Sequence, residues 1–533
     1  HGPSPGLFDP VTGHAISPPR PTGWILTGPL LQDFQLARTR TERQEAETLT
    51  QNLILPAHTG LYYGGKWQPA QGNQTVSVRN PATGAVLTEI AMAKQSDVVA
   101  AIAAARQGFE TWRDVAPLER GKILRQIAMI IRQHGPDLAM LDAADGGNPY
   151  GELIRDVENT ASQFEYFAGL IMEMKGQSTP ATPGVINFSV RQPLGVVARI
   201  VPFNHPFMFC AAKSAAPLAA GNAVIVKPPE QAPLSGLRLA ELIGDLLPPG
   251  VFNVIPGGSD VGATLASHPG IDATAFIGSV PTGKAVSASA AQTLKKVMLE
   301  LGGKNPLIAF ADADPDEVAK AMVAGMNFGW CGQSCGSTSR ALLHEEIHDA
   351  VLERLPAHCA RFKPGLPTDP ETTMGAIVDQ RQFDRVRSYI ALAQEEGARL
   401  VLGGGSPSSP ELANGYFVEP TIFANVTPQM RIAREEIFGP VLSIMKWSDE
   451  DEMIAVANGV DYGLTCSIWS DDINKAHRTA QRIDAGFIWI NEVGKHFLGT
   501  PYGGFKQSGS GREECLEELL FFTQEKHIHI RLK

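Results

Sequence analysis

The chain is predicted to adopt an α/β fold built on parallel sheets, and three observations carry that prediction. Short apolar runs recur from residue 195 onward; stretches of helical periodicity alternate with them; and the residues best suited to chemistry fall just past the ends of those runs. Strands separated by helices indicate parallel sheets, whose ligands bind beyond the strands' carboxyl ends. At 533 residues the chain exceeds one compact core, so two or three domains are expected.

Residues 1 to about 60 differ from the rest. The first thirty are rich in Pro and Gly, with Pro18, Pro19 and Pro21 close together, and read as extended coil. Residues 41–52 are polar and suit a short helix. Asn80-Pro81-Ala82-Thr83-Gly84 reads as a turn, because Pro fixes φ and Gly tolerates φ > 0. Ser96-Asp97 reads as the cap of a helix with Val98, Ile102, Ala105, Phe109 and Trp112 on one face. Pro117 can open the next helix, with Leu124, Ile127 and Ile131 inside and Gly135 near its end. Strands are expected over 196–201, 223–227, 251–255 and 273–277, with a helix over 237–247 stopped by Pro248-Pro249-Gly250. A second alternation follows Pro306: strands over 307–310, 341–344, 441–445 and 487–490, helices over 317–326, 348–355 and 380–395. Residues 184–192 and the last twenty alternate polar with apolar, as exposed edge strands do, and invite pairing with another chain.

Composition narrows the function. A net charge of −11 argues against nucleic acid, which needs clustered Lys and Arg. No apolar run reaches the ~18 residues of a membrane span, and no signal-like core stands near His1. Six cysteines, with no CxxC pair and no zinc spacing, suit a reducing, cytoplasmic setting and no metal site.

Three segments carry chemistry. Cys335 stands in Gly332-Gln333-Ser334-Cys335, Glu300 in Glu300-Leu301-Gly302-Gly303-Lys304, and Asn204 in Pro202-Phe203-Asn204-His205-Pro206. A thiolate attacks carbonyls, a carboxylate can activate the water that hydrolyses the resulting thioester, and an amide can hold the oxyanion. An ordinary thiol needs activation, expected here from backbone amides at a loop-to-helix turn. Singly, each residue has a blander reading: an inert buried cysteine, a surface charge at a strand end, a turn former. Together and in this order they resemble the aldehyde dehydrogenase superfamily, from about Leu61 to the C-terminus.

The resemblance implies a Rossmann-like dinucleotide-binding domain (61–174 and 194–302), an α/β catalytic domain (303–508) and a small β oligomerisation arm (175–193 and 509–533), with 1–60 as an N-terminal extension. The arm implies a homodimer or homotetramer. Cys335 is implied as nucleophile, Asn204 and the Cys335 N–H as oxyanion donors, Glu300 as hydrolytic base swinging in room left by Gly302-Gly303, and Lys213 as an ordering or proton-relaying group. The implied cofactor is NAD. There is no GxGxxG; Gly278 and Ser279 are implied at the dinucleotide, Lys227 and Glu230 at the adenosine ribose, Glu436 at the nicotinamide ribose, and Phe438, Pro202 and Phe203 beside the nicotinamide. A carboxylate at Glu230 repels a 2′-phosphate and so favours NAD over NADP.

Departures from the family pattern concern the substrate. Trp330 stands where relatives carry Asn, His205 where an aromatic is common, and Ala212 where several relatives have a bulky ring. Cys331 is a second thiol, read as a spectator. Ser334 adjoins the nucleophile, and Lys495 and His496 fall at the tunnel mouth. These features predict a wide, polar entrance with positive character, suited to a bulky or partly anionic aldehyde. The run from Trp330 to Gly336 also resembles betaine aldehyde dehydrogenases, although no acidic or aromatic cage for a quaternary cation stands out. A CoA-acylating semialdehyde dehydrogenase and a catalytically silent structural relative are the alternatives; Glu300 argues against the first and Cys335 against the second.

Overall fold

The computed structural model describes residues 53–533. The coil and short helix expected within 1–52 lie outside the described residues.

An eight-stranded sheet runs, in spatial order, Lys66–Gln68, Leu61–Tyr63, Phe252–Val254, Ala223–Lys227, Val196–Ile200, Ala273–Gly278, Lys296–Leu301, Gly509–Ser510. Its five central strands are parallel and its outer ones antiparallel. Val196–Ile200 and Ala223–Lys227 are buried along their whole length, as parallel strands covered on both faces must be. A second sheet of seven strands runs Arg399–Leu402, Thr421–Ala424, Val441–Trp447, Arg340–His344, Pro306–Ala309, Thr465–Trp469, Phe487–Ile490. All its pairs are parallel except the first. In a third, small sheet Thr523–Arg531 pairs antiparallel with Val185–Pro193, which also pairs with Ser178–Thr179.

Several expected elements differ in detail. The strand Lys296–Leu301 was not anticipated, because Lys296 opens it and Glu300 interrupts its apolar run. Strands Arg399–Leu402, Thr421–Ala424 and Thr465–Trp469 were also missed; each is only four or five residues long, too short for a clear period. The helix Gln95–Trp112 starts from Lys94, not Ser96-Asp97. Asp97 instead works from inside the first turn, its buried carboxylate accepting from the Lys94 and Gln71 N–H groups.

The buried strand Val196–Ile200 carries a charge within it. Arg199 is fully buried and pairs with Glu513 at 3.2 Å and Glu518 at 2.8 Å, both from the C-terminal segment. That segment thus crosses the first sheet's core and also supplies one of its edge strands. Among the described residues no helix is long and apolar enough to cross a membrane.

Candidate active site

Asn204 and His205 immediately precede the helix Pro206–Ala219. Proline at its first position needs no N–H partner, and Asp142 Oδ2 accepts from the Phe207 N–H at 2.8 Å. Asn148 Nδ2 donates to the Asn204 carbonyl at 2.8 Å. The Asn204 side chain is buried and its Oδ1 has no partner. His205 is held by Asp156, Nδ1 to Oδ2 2.7 Å, and its ring lies 4.2 Å from that of Trp330. Trp330 is buried.

Lys213 lies further along the same helix, buried, with Nζ 2.9 Å from Glu513 and 3.6 Å from Glu514. Burial alone lowers an ammonium, but the carboxylates of Glu513, Glu514 and Glu518 outweigh it and hold Lys213 above the ordinary lysine range. Glu300 is buried between Ile277 on one neighbouring strand and Gly509 on the other. Neither of its oxygens has a partner. Burial first, and then Glu513, push its carboxyl well above the ordinary range, against the pull of Lys213 and Arg512. A carboxyl so placed can take a proton near neutral pH.

Cys335 sits in a turn with Ser334 before it, both partly exposed. No helix follows: the chain runs on to the strand Arg340–His344, so the expected loop-to-helix activation is absent. Asn305 Nδ2 fixes the turn by donating to the Cys335 and Ser337 carbonyls at 2.7 and 3.0 Å. The protein's own groups oppose ionisation. Burial, then the charges of Glu300 and Glu436, push the thiol up to about 12, while the nearby Tyr502 hydroxyl and the Cys335 backbone N–H work the other way. Gly302 and Gly303 have a different purpose from the one expected. A side chain at Gly302 would collide with the Glu436 carboxylate, and one at Gly303 would come 2.9 Å from the Cys335 carbonyl. They admit Glu436 and the cysteine turn; room beside Glu300 is left instead by Gly503, where a Cβ would fall 2.9 Å from Oε1. Cys331 is buried, and Cys331 and Cys335 are both free.

Of the residues expected at the dinucleotide, Lys227, Glu230, Gly278 and Ser279 lie at the carboxyl ends of first-sheet strands, and Glu436 and Phe438 in the loop before the second-sheet strand Val441–Trp447. Lys227 is buried with Nζ 4.0 Å from Glu230, which is 48% exposed. Gly258, at the start of the helix Ser259–Ser267, stands beside Glu230: a Cβ there would lie 3.8 Å from its Oε1. Gly278 ends the strand Ala273–Gly278, and Ser279 starts the helix Val280–Ala291 without capping it. Its first N–H groups therefore remain available to an anion. Glu436 accepts from the Gly303 N–H at 3.0 Å, and burial raises its carboxyl to about 7. Phe438 is held at φ 60° by Gln382 Nε2, which donates to its carbonyl at 2.7 Å. Its ring meets that of Phe203, next to Pro202, edge-to-face at 5.8 Å. A Lys–Glu pair, an uncapped helix N-terminus and an apolar pair of rings fit a dinucleotide.

His496 is 41% exposed and pairs through Nδ1 with Glu514 Oε2 at 3.2 Å. Its ring lies 4.5 Å from Tyr502 and stacks on Phe487 at 5.9 Å; Trp489 adjoins Phe487 at 5.1 Å. Of the residues expected to make the entrance positive, His205 and His496 each pair with a carboxylate, while Lys495 stands exposed. The aromatic cluster went unread because its members come from two separate segments. Tyr502, in a segment the resemblance puts near the substrate mouth without a chemical role, and Glu513 and Glu514 were not named as site residues; the signal for the latter was four glutamates, Glu513, Glu514, Glu517 and Glu518, beside an apolar run. A cavity of about 240 Å³ under Arg340 is lined by none of these residues.

Residues 67–528 match the model of the aldehyde dehydrogenase family. The chain is 49% identical over 485 residues to the aldehyde dehydrogenase tropH of Talaromyces stipitatus, covering 90% of this chain and 94% of that one. Its fold is similar to that of a putative aldehyde dehydrogenase from Burkholderia cenocepacia (TM-score 0.87, 40% identity, 90% of this chain and 98% of that one). It is also similar to the indole-3-acetaldehyde dehydrogenase AldA of P. syringae, solved as a mutant with NAD+ and IAA (TM-score 0.88, 36% identity, 92% and 99%).

Proposed function

Because the chain belongs to the aldehyde dehydrogenase family, we propose that it oxidises an aldehyde to the carboxylic acid with NAD, through a covalent intermediate on Cys335. One observation carries this reading: the unpartnered buried carboxyl of Glu300 and the Glu436 carboxyl of the Phe438 loop both come near enough to Cys335 for their charges to act on its thiol. When bound, NAD supplies the hydride acceptor. Lys227 and Glu230 would hold its adenosine ribose, Gly278 and Ser279 its pyrophosphate, and Glu436 its nicotinamide ribose, with Phe438, Pro202 and Phe203 beside the ring. The NAD+ complex of the P. syringae relative supports the cofactor, and the Glu230 carboxylate favours NAD over NADP.

The Cys335 thiolate, steadied by Tyr502, attacks the aldehyde carbon, and the carbonyl electrons move to oxygen. The Asn204 amide and the Cys335 N–H donate to that oxyanion; such donors contribute roughly 3–4 kcal/mol each. Departure of hydride leaves a thioester. Glu300 takes a proton from water, the water oxygen bonds to the acyl carbon, and the carbon–sulfur bond breaks to release the acid. Lys213 keeps a positive charge beside Glu300 and Glu513. Six free cysteines support a reducing, cytoplasmic setting, and the exposed small sheet supports a homodimer or homotetramer.

Glu300→Gln should still give one burst of NADH per active subunit while steady turnover collapses, and added coenzyme A should not restore it. Cys335→Ala should abolish both phases with an unchanged circular dichroism spectrum. Undiminished turnover in Glu300→Gln would remove Glu300 from the hydrolytic step.

A further inference from the structure

The mouth of the site joins an aromatic surface to one polar atom. Tyr502 is buried, with its hydroxyl beside the Cys335 turn, 3.4 Å from where a Cβ on Gly336 would stand, and its ring 4.5 Å from His496. A single tyrosine side chain thus bridges the nucleophile's turn and the imidazole, so they stand about one aromatic ring apart. Phe487 stacks nearly parallel on His496, at 12°, and Trp489 fixes the preceding turn by donating to the Lys495 carbonyl at 2.8 Å. The Gly499 N–H donates to the Glu514 carbonyl at 2.8 Å, tying the histidine loop to its partner segment.

His496 has one nitrogen to spare. Nδ1 is engaged by Glu514, which itself lies 3.6 Å from the Lys213 ammonium. The Glu514 charge is therefore already shared between two partners and is poorly placed to draw a cationic substrate. Nε2 is the free atom of a half-exposed ring. With Nδ1–H donated to Glu514, a neutral ring presents Nε2 as an acceptor, and a protonated ring presents it as a donor. An acidic oxygen satisfies both cases, as O–H to nitrogen or as O⁻ from N–H, since the two arrangements differ only in where one proton sits.

We propose that His496 is a specificity residue, and that the substrates are single-ring aromatic aldehydes bearing an acidic oxygen, a phenol-type hydroxyl or a carboxylate, on the side of the ring away from the aldehyde. This rests on the aldehyde oxidation proposed above. The ring lies among Phe487, Tyr502 and the imidazole, the aldehyde reaches Cys335, and the distal oxygen bonds to Nε2.

The test compares kcat/KM for matched pairs that differ by one methyl group: meta- and para-hydroxybenzaldehyde against the methoxy compounds, and the carboxybenzaldehydes against their methyl esters. Octanal and betaine aldehyde complete the panel. The acidic member of at least one pair should be favoured about tenfold or more, the worth of one good hydrogen bond. His496→Phe, which keeps the aromatic surface, should erase the preference and leave the methylated partners within about twofold. His496→Gln, whose amide sits near the Nε2 position, should retain part of it. Equal rates within every pair, a preference that survives His496→Phe, or betaine aldehyde as the best substrate would overturn the assignment. So would a uniform loss of kcat in His496→Phe that includes octanal, the mark of a structural role. If octanal yields NADH and the benzaldehydes do not, only this assignment falls; if no aldehyde does, the oxidation reading falls with it.

Discussion

Cys335 receives little help from its own surroundings: burial and two carboxyl groups hold its proton, and Tyr502 is the one side chain that opposes them. Tyr502→Phe should therefore move the pH profile of Cys335 alkylation by iodoacetamide upward and slow the NADH burst, with helix content unchanged. An unaltered alkylation profile would show that the hydroxyl does not act on the sulfur. Glu300 sets the other limit. Its proton is held well above the ordinary carboxylate range, so it serves as a base only as pH rises, and steady turnover should climb from neutral into mildly alkaline solution. Some of this was legible in the residues. Cys335, Glu300 and Asn204 stood out by their glycine, proline and amide settings. Tyr502 did not, because a tyrosine beside glycines signals a turn as readily as a thiol partner, and only the folded chain brings it to residue 335.

At the scale of elements, the helix Pro206–Ala219 aims both Asn204 and Lys213, and Asp142 holds its first turn through the Phe207 N–H. Burial raises the Asp142 carboxyl from about 3.8 to about 7. The fold keeps this proton where the unfolded chain has released it. The stability it contributes is fully present below about pH 4 and is lost as pH rises toward 7. Asp142→Asn cannot ionise and keeps an acceptor for Phe207. Its melting temperature should fall less than wild type between pH 4 and 7, a difference that calorimetry would measure; parallel curves would remove Asp142 as the cause. The elements read best from sequence were long or uniformly apolar, such as Phe487–Ile490 and Ala223–Lys227. The strand holding Glu300 was lost because a functional carboxylate breaks the very pattern that marks a strand.

Over the whole molecule, the small sheet leaves Thr523–Arg531 largely exposed along an edge, and we expect copies of the chain to join there. Single prolines at His527 and Ile528 sample both phases of the edge. The one that removes an outward N–H should shift sedimentation toward monomer; no shift from either would place the contact elsewhere. The C-terminal segment also sets an order of events. Arg199, near the middle of the first sheet, finds its carboxylates only at Glu513 and Glu518, and one edge strand of that sheet is Gly509–Ser510. During synthesis the ribosome must therefore deliver nearly the whole polypeptide before this guanidinium can be neutralised. Until then the half-made sheet carries an uncompensated charge in its interior. Prematurely terminated chains should accordingly be substrates for chaperones and proteases, and no partial product should reach a working enzyme.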